Sequence, residues 1–166
     1  RQMCIRDSIP ATFSMLEQLE QQRLVHARNG WAFAATPALT EFYTSGDQDE
    51  IEAIAFDDAA LASIRLLAIG DEERFPHRRV VISADVEATP AADMGESVVA
   101  LASPVELPEV AAIHVDVGEA EAATARAIEH IDAADLGDAD AELAVGDAQD
   151  NYMAFFDPSE LPFLIE

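Results

Sequence analysis

The sequence contains no lysine, because all nine of its basic residues are arginine. Neither a Schiff-base lysine nor the lysine of a phosphate-binding loop is therefore available. The seven glycines are scattered along the chain, and no glycine-rich phosphate loop follows a predicted strand. The Gly-x-Ser-x-Gly and His-Glu-x-x-His motifs are also missing. These absences remove several enzyme classes, and we predict no cofactor and assign no catalytic residue.

Long apolar runs are missing as well, since no stretch approaches the ~18–20 residues that a membrane-spanning helix requires. The visible N-terminus lacks the pattern of a signal peptide. Half of all residues are nevertheless apolar, which is enough to form a buried core. We therefore predict a cytoplasmic globular protein that does not bind membranes.

The single cysteine, Cys4, lies in an N-terminal octapeptide that resembles translated laboratory DNA. Residues 1–8 read Arg-Gln-Met-Cys-Ile-Arg-Asp-Ser, which the end of a widely used transposase sequencing adapter encodes when it is translated. Foreign segments are set aside before the fold is considered. We predict that residues 1–8 are an adapter artefact. No native thiol then remains for a disulfide, a zinc site or a cysteine nucleophile.

Acidic residues outnumber basic ones by 33 to nine, which gives a formal net charge of −24. Without Arg1, Arg6 and Asp7 the counts are 32 and seven, and the net charge is −25. Such a surface repels phosphate backbones and anionic lipid headgroups, so we predict neither nucleic-acid nor membrane binding. A protein partner would be basic. The alternative is that the acidity reflects adaptation to salt or genome composition.

Apolar periodicity and capping residues predict four helices, over residues 13–24, 37–43, 48–69 and 119–131. Ser14 and Asp47 each stand three residues before a glutamate, which is the spacing of a capping box. Thr36 precedes a proline at the first helical position. The acidic pair at residues 57–58 is a point at which the longest helix would divide in two.

Short runs of β-branched and apolar residues predict strands over 31–35, 80–84, 98–101, 110–117, 143–145 and 152–156. Polar loops are predicted at 70–76 and 87–95. In the strand at 110–117, Ile113 and Val115 share one face, and His114 and Asp116 share the other. We predict a single α/β domain over residues 9–166, with helices packed on a mixed sheet of about six or seven strands built from βαβ-like and hairpin segments.

The densest group of carboxylates could in principle supply oxygen ligands to calcium, and it comprises Asp132, Asp135, Asp138, Asp140 and Glu142. An EF-hand loop that began at Asp138 would place Leu143 at the glycine position and Gln149 at the position of the bidentate glutamate. We therefore predict no metal site and interpret the segment as a solvated acidic loop.

His114 and Asp116 are the strongest candidates for a ligand-facing pair, because side chains at i and i+2 of a strand stand side by side. Asp85, near the end of another predicted strand, is a candidate third member. The alternative is that His114 faces a covering helix or solvent and that Asp116 caps the next helix. Arg65 either reaches a carboxylate across the edge of the core or extends along the surface.

Trp31 and Tyr43 are predicted to pack in the core or at its boundary rather than to stack on a ligand.

Six short motifs resemble a family of short actinobacterial proteins of unknown function: Ile9-Pro-Ala-Thr12, Ala34-Ala-Thr-Pro-Ala-Leu39, Gly46-Asp-Gln-Asp-Glu50, Ala62-Ser-Ile-Arg-Leu-Leu67, Arg78-Arg-Val-Val81 and His114-Val-Asp116. The resemblance implies a small cytosolic domain with no established catalytic residues. Members of that family look as if they begin with a strand of the type Met-Arg-Val-Phe/Tyr directly before Ile/Val-Pro-Ala-Thr. The resemblance therefore implies that residues 1–8 replace a native first strand.

Because no motif defines a reaction, we predict a small cytosolic interaction or regulatory protein rather than an enzyme. The alternative is an acid/base hydrolase or a small-ligand-binding domain that uses His114, Asp116 and Asp85. Convergence of these three side chains in one pocket favours the alternative. An exposed apolar patch favours the interaction protein.

The adapter hypothesis predicts that the intact genomic locus encodes different residues in place of 1–8. Sequencing of that locus is the test. An in-frame start codon followed by the same octapeptide would contradict the hypothesis.

Overall fold

The structure, a computed structural model, describes residues 3–43, 45–70 and 75–165. In this part of the chain the strands are β1 (Met3–Ala11), β2 (Leu24–Val25), β3 (Trp31–Ala34), β4 (Val80–Pro90), β5 (Val98–Leu101), β6 (Val105–Glu106), β7 (Val110–Asp116) and β8 (Met153–Phe156). The helices are α1 (Phe13–Gln22), α2 (Pro37–Phe42), α3 (Gln48–Ile69), α4 (Glu121–Asp135), α5 (Ala139–Gln149) and α6 (Leu161–Leu164). Of the loop predicted at 70–76, residues 71–74 lie outside the described residues.

Six strands form one sheet in the order β1-β3-β5-β4-β7-β8, and β2 pairs with β6 in a small second sheet. β1 also pairs along its whole length with β4, which closes β1, β3, β5 and β4 into a ring. The α/β class, the single domain and a main sheet of six strands confirm the prediction.

The strand pairs in the described residues are all antiparallel, so the expected βαβ-like segments do not supply parallel neighbours. The connection between β7 and β8 shows why. It consists of two helices, α4 and α5, joined by a short turn. A pair of helices returns the chain to the end of the sheet that it left, and the next strand is then antiparallel.

The two faces of the sheet are covered by different elements. On one face, α1, α6 and the small sheet enclose the largest apolar core, which includes Ile9, Ile82 and Ile113. On the other face, α3 packs on Val81 through Ala59 and Ala60. α4 and α5 pack in turn against α3 in a cluster around Ile64, Ala127, Ile131, Val145 and Ala148. Residues of β4 and β7 therefore alternate between two buried environments.

α3 is one continuous helix from Gln48 to Ile69, so the division expected at residues 57–58 does not occur. It begins where Glu50 N donates to Asp47 Oδ1 at 2.9 Å, as the predicted cap requires. In its interior, the Ser63 hydroxyl donates to the carbonyl of Ala11 at 2.8 Å and accepts from Val80 N at 3.0 Å. One side chain thus ties the end of β1 and the start of β4 to the helix.

Predicted strands and helices at 31–35, 37–43, 98–101, 110–117 and 152–156 agree with β3, α2, β5, β7 and β8 to within one or two residues. The predicted N-cap of α1, Ser14, is wrong, because the side chain of Thr12 accepts from Met15 N at 3.3 Å. The loop predicted at 87–95 begins later, since β4 extends to Pro90 through pairing with β1 and β5.

The strand predicted at 143–145 is wrong, because these residues lie within α5. The buried residues Ala141, Ala144, Val145 and Ala148 recur at intervals of three and four, which is helical spacing. Leu143 lies between them in sequence and is exposed. A run of three apolar residues does not distinguish a strand from one turn of an alanine-rich helix.

Asp7 is a buried carboxylic acid inside the apolar core. Alternate residues of β1 face this core, and Asp7 pairs with Ala34 on one side and with Ala84 on the other. Neither of its carboxylate oxygens has a hydrogen-bond partner. Burial, followed by the charge of Asp85, raises the pKa of Asp7 to about 7. The position has the surroundings of an apolar residue.

Replacing Asp7 with valine should stabilise the domain increasingly as the pH rises. The folded chain holds the acid protonated up to about pH 7, whereas the unfolded chain ionises it near pH ~4. Between these values folding becomes less favourable for the parent, by about 4 kcal/mol in total. The difference in unfolding free energy between Asp7→Val and the parent, measured by urea denaturation, should grow across this interval.

Asp93→Val, at an exposed aspartate, is the matched control and should show no comparable growth. A stability difference for Asp7→Val that stays constant from pH 4 to pH 7 would contradict the prediction.

Candidate functional site

Asp116, at the end of β7, forms a buried ion pair with Arg79. Its carboxylate accepts from Arg79 Nη2 at 2.7 Å and from Arg79 Nε at 3.0 and 3.1 Å. The backbone N–H of Arg79 and the hydroxyl of Thr124 also donate to it, at 2.8 and 3.0 Å. Both charged side chains are buried. A carboxylate saturated in this way has a structural role and is not free to act as a base.

Arg79 has further partners that join the helices to the sheet. Its Nη1 donates to Gln149 Oε1 at 2.8 Å, and its Nη2 donates to the carbonyl of Asn151 at 3.0 Å. Gln149 Nε2 donates in turn to the carbonyl of Asp57 at 2.9 Å. The guanidinium therefore connects β4 and β7 to α5 and, through Gln149, to α3.

This role of Arg79 was not predicted from the sequence. The available signal was an arginine directly before the buried run of β4 together with an aspartate at the end of β7. Antiparallel neighbours bring the start of one strand to the end of the other.

Asp85 lies on β4 in a different environment. Its carboxylate accepts from Arg6 Nε at 2.7 Å and from Arg6 Nη2 at 3.2 Å, and both side chains are about half exposed. The hydrogen bond from Arg6 lowers the pKa of Asp85. Asp85 is thus an ionised surface residue whose partner belongs to the octapeptide.

His114 is the predicted site residue that lines a cleft. Its Nε2 lies 3.1 Å from the hydroxyl oxygen of Ser83. Its ring meets the rings of Phe56 and Phe155 edge to face, with centroid separations of 4.8 and 5.8 Å. Burial, with a smaller contribution from the charge of Arg6, lowers the pKa of His114. The imidazole is therefore neutral at neutral pH.

The cleft has a volume of about 420 Å³ and is lined by Ala53, Phe56, Asp57, Arg79, His114, Gln149, Asn151, Tyr152 and Met153. Asp116 and Asp85 are not among the residues that line it. The structure thus places His114 at the cleft and holds both predicted carboxylates elsewhere. Ser83, the hydrogen-bond partner of His114, is buried and does not line the cleft either.

The prediction that the acidic segment beginning at Asp132 is a loop is wrong, because Asp132 and Asp135 lie in α4, and Asp140 and Glu142 lie in α5. The segment contributes an ion pair. Arg65 Nη2 and Nε donate to the two oxygens of Asp135 at 2.8 and 3.1 Å, so of the two alternatives for Arg65 the contact with a carboxylate is the one that the structure has. The pair is about half exposed. Over residues 3–43, 45–70 and 75–165, no three His, Cys, Asp or Glu side chains are grouped so as to hold a metal ion.

A groove that the sequence did not reveal, with both apolar and acidic side chains in its lining, lies between α2, α3 and the turn before β5. It has a volume of about 390 Å³, and its lining comprises Phe33, Leu39, Phe42, Tyr43, Ile54, Asp58, Met94, Gly95, Glu96, Ser97 and Val98. Phe42 is 63% exposed, Met94 49% and Tyr43 40%. Tyr43 was predicted to pack at the core or its boundary, and it lies at the rim of this groove.

Hydrogen bonds fix the walls of the groove. The hydroxyl of Thr36 accepts from Leu39 N at 3.1 Å, which caps α2, and donates to the carbonyl of Glu96 in the opposite wall. The hydroxyl of Ser97 donates to Asp58 Oδ2 at 2.7 Å, which ties that wall to α3. The groove is therefore a preformed feature of the fold.

Removal of the charge on Asp116 should destabilise the domain strongly. Asp116→Asn leaves the guanidinium of Arg79 buried without a counter-charge, so we expect the free energy of unfolding to fall by about 3–5 kcal/mol. The measurement is urea denaturation of the variant and the parent.

Asp135→Asn, which removes the carboxylate of the half-exposed pair with Arg65, is the control and should cost less than ~1 kcal/mol. Equal losses for the two variants would show that the buried pair has no special importance.

No helix in the described parts of the chain is long and apolar enough to cross a membrane.

Comparison with known proteins gives a family assignment. Searches of curated proteins and of solved structures find no match. A model of a family of unknown function, DUF6912, matches residues 5–165, so the match begins inside the octapeptide. The chain belongs to this family of unknown function, DUF6912.

Proposed function

We propose that the chain is a small interaction protein that binds a basic segment of a partner protein, with a large apolar side chain of that segment in the groove of Phe42, Tyr43 and Met94. The exposed aromatic groove on a strongly acidic chain is the observation that carries the proposal. The segment is identified by its chemistry, namely positive charge together with an aliphatic or aromatic anchor.

The groove exposes large apolar side chains to water. Phe42 and Tyr43 meet edge to face with ring centroids 5.1 Å apart, and Met94 stands exposed in the opposite wall. Leu39 and Ile54 line the same groove from α2 and α3. Aromatic side chains and methionine are enriched in the centres of protein interfaces, where the burial of large rings contributes most of the affinity. A partner side chain in this groove would remove these rings from water.

The charge of the groove selects the partner. Asp58 and Glu96 contribute carboxylates to the lining, and among the residues that the structure describes no arginine contributes to it. The chain as a whole carries a net charge of −24, so its field attracts basic segments and repels acidic ones. The same field disfavours nucleic acids and anionic membranes.

Preorganisation supports a binding role as well. Because Thr36 and Ser97 hold the two walls through hydrogen bonds, the groove does not have to form when the partner arrives. A preformed site loses less conformational entropy on binding. A cytoplasmic location for this interaction rests on the sequence alone.

The acid/base hydrolase has no comparable support. Asp116 is saturated by Arg79 and Thr124, and Asp85 is paired with Arg6. His114 lines a cleft without either carboxylate. We therefore do not propose hydrolysis.

Selection from a random peptide library on the immobilised protein tests the proposal. Enriched peptides should carry net positive charge and at least one large apolar residue. Their affinity, measured by fluorescence anisotropy, should fall at least about tenfold for Phe42→Ala/Met94→Ala, because truncation removes the apolar contact. Glu96→Arg should weaken binding more at low salt than at high salt, because salt screens the charge interaction.

Phe163→Ala is the matched control, since Phe163 is an exposed aromatic residue on α6 that lies outside the groove. Its affinity for the selected peptides should equal that of the parent. Enrichment of acidic peptides, binding that survives the groove variant, or the absence of any enriched peptide would each overturn the proposal.

A further inference from the structure

The cleft beside His114 is a second concave surface, separate from the groove. It lies between α3, β7 and the turn that leads from α5 into β8. We propose that this cleft binds a small organic cation, with a guanidinium or quaternary ammonium head, against the aromatic side chains of Phe56, His114 and Tyr152, which line it. This site does not depend on the proposed peptide groove.

Phe56, His114 and Tyr152 contribute aromatic rings to the lining of the cleft. His114 joins the rings of Phe56 and Phe155 in a row, through the edge-to-face contacts of 4.8 and 5.8 Å. Phe155, which does not itself line the cleft, stands directly opposite His114 in the pairing of β7 with β8 and supports the histidine ring. Tyr152, which lines the cleft, is 70% exposed. The faces of exposed aromatic rings attract cations, most strongly where water is partly excluded.

Asp57 supplies the negative charge of the cleft. Its carboxylate lines the cleft and has no hydrogen-bond or ion-pair partner among the described residues. Burial raises the pKa of Asp57, the charge of Asp58 adds to this effect, and Arg79 opposes it. A cation bound beside Asp57 would stabilise the ionised carboxylate, so both groups gain from the contact.

The other charged groups around the cleft do not cancel this preference. Arg79 lines the cleft and its charge reaches Asp57, but its ion pair is with Asp116. Arg6, whose charge reaches His114, is paired with Asp85. His114 itself is neutral at neutral pH because burial lowers its pKa. Asp57 is therefore the charged residue of the described lining that forms no ion pair.

An anionic ligand fits the cleft poorly. Arg79 is the cation in its lining, and its donors are directed at Asp116, Gln149 and the carbonyl of Asn151. An anion would have to compete with the buried carboxylate for these donors. The arrangement favours a ligand of positive charge.

Titration of the folded protein with matched probes, followed by NMR, tests the inference. Choline is compared with 3,3-dimethyl-1-butanol, which has the same shape without the charge. The blocked amino acid N-acetyl-arginine-methylamide is compared with its neutral citrulline counterpart. At least one cation should bind about tenfold more tightly than its neutral counterpart. The two pairs distinguish a free quaternary amine from an arginine side chain as the source of the cation.

Resonances of Phe56, His114 and Tyr152 should shift on binding. Asp57→Asn and Tyr152→Leu should each weaken binding of the preferred cation several-fold, because each removes one of the two attractive contacts. Asp93→Asn and Phe163→Leu, at exposed residues outside the cleft, are the matched controls and should bind as the parent does.

Phe42→Ala/Met94→Ala separates this inference from the peptide groove, since it should leave cation binding unchanged. Equal affinity for a cation and its neutral counterpart, no binding of either cation, or unchanged affinity in Asp57→Asn would overturn the inference.

Discussion

The buried ion pair of Arg79 and Asp116 is the interaction on which the arrangement of this domain depends. It joins the start of β4 to the end of β7, and its remaining hydrogen bonds hold α4, α5 and the segment before β8. A buried charge is tolerated only when donors and acceptors surround it, and here they do. Asp7 shows the opposite case, since its carboxylate is buried without a partner. That contrast is what a foreign octapeptide in the place of a native apolar strand would produce, and the adapter origin of residues 1–8 stays a prediction.

α3 connects this frame to both candidate surfaces. One side of the helix contributes Ile54 and Asp58 to the groove of Phe42, Tyr43 and Met94. Another side contributes Phe56 and Asp57 to the cleft beside His114. Ser63 and the hydrogen bond from Gln149 to Asp57 fix the helix on the sheet. Each surface places aromatic rings beside carboxylates that form no ion pair within the described part of the chain, which suits positively charged ligands. Acidic residues therefore contribute to both the groove and the cleft.

Local chemistry made part of the fold predictable. α2 and α3 carry their own caps at Thr36 and Asp47, and β3, β5 and β7 are bounded by turn residues. Non-local effects were not predictable: β4 is long because β1 pairs with it, and residues 143–145 are helical because α5 packs as a whole on α3 and α4. The resemblance motifs at residues 78–81 and 114–116 contain both members of the ion pair, yet their contact follows only from the strand order. The groove joins α2, α3 and a turn far apart in sequence, so no local pattern could reveal it.

Native-state hydrogen exchange measures the central claim most directly. The amide of Arg79 donates to the Asp116 carboxylate, and the amide of Asp116 donates to the carbonyl of Arg79 at 3.1 Å. If the ion pair holds the frame, both amides exchange only through global unfolding, with the same free energy and denaturant dependence as core amides such as those of Ile82 and Ile113. Faster exchange of Arg79 and Asp116 by a local opening that denaturant does not affect would contradict the account.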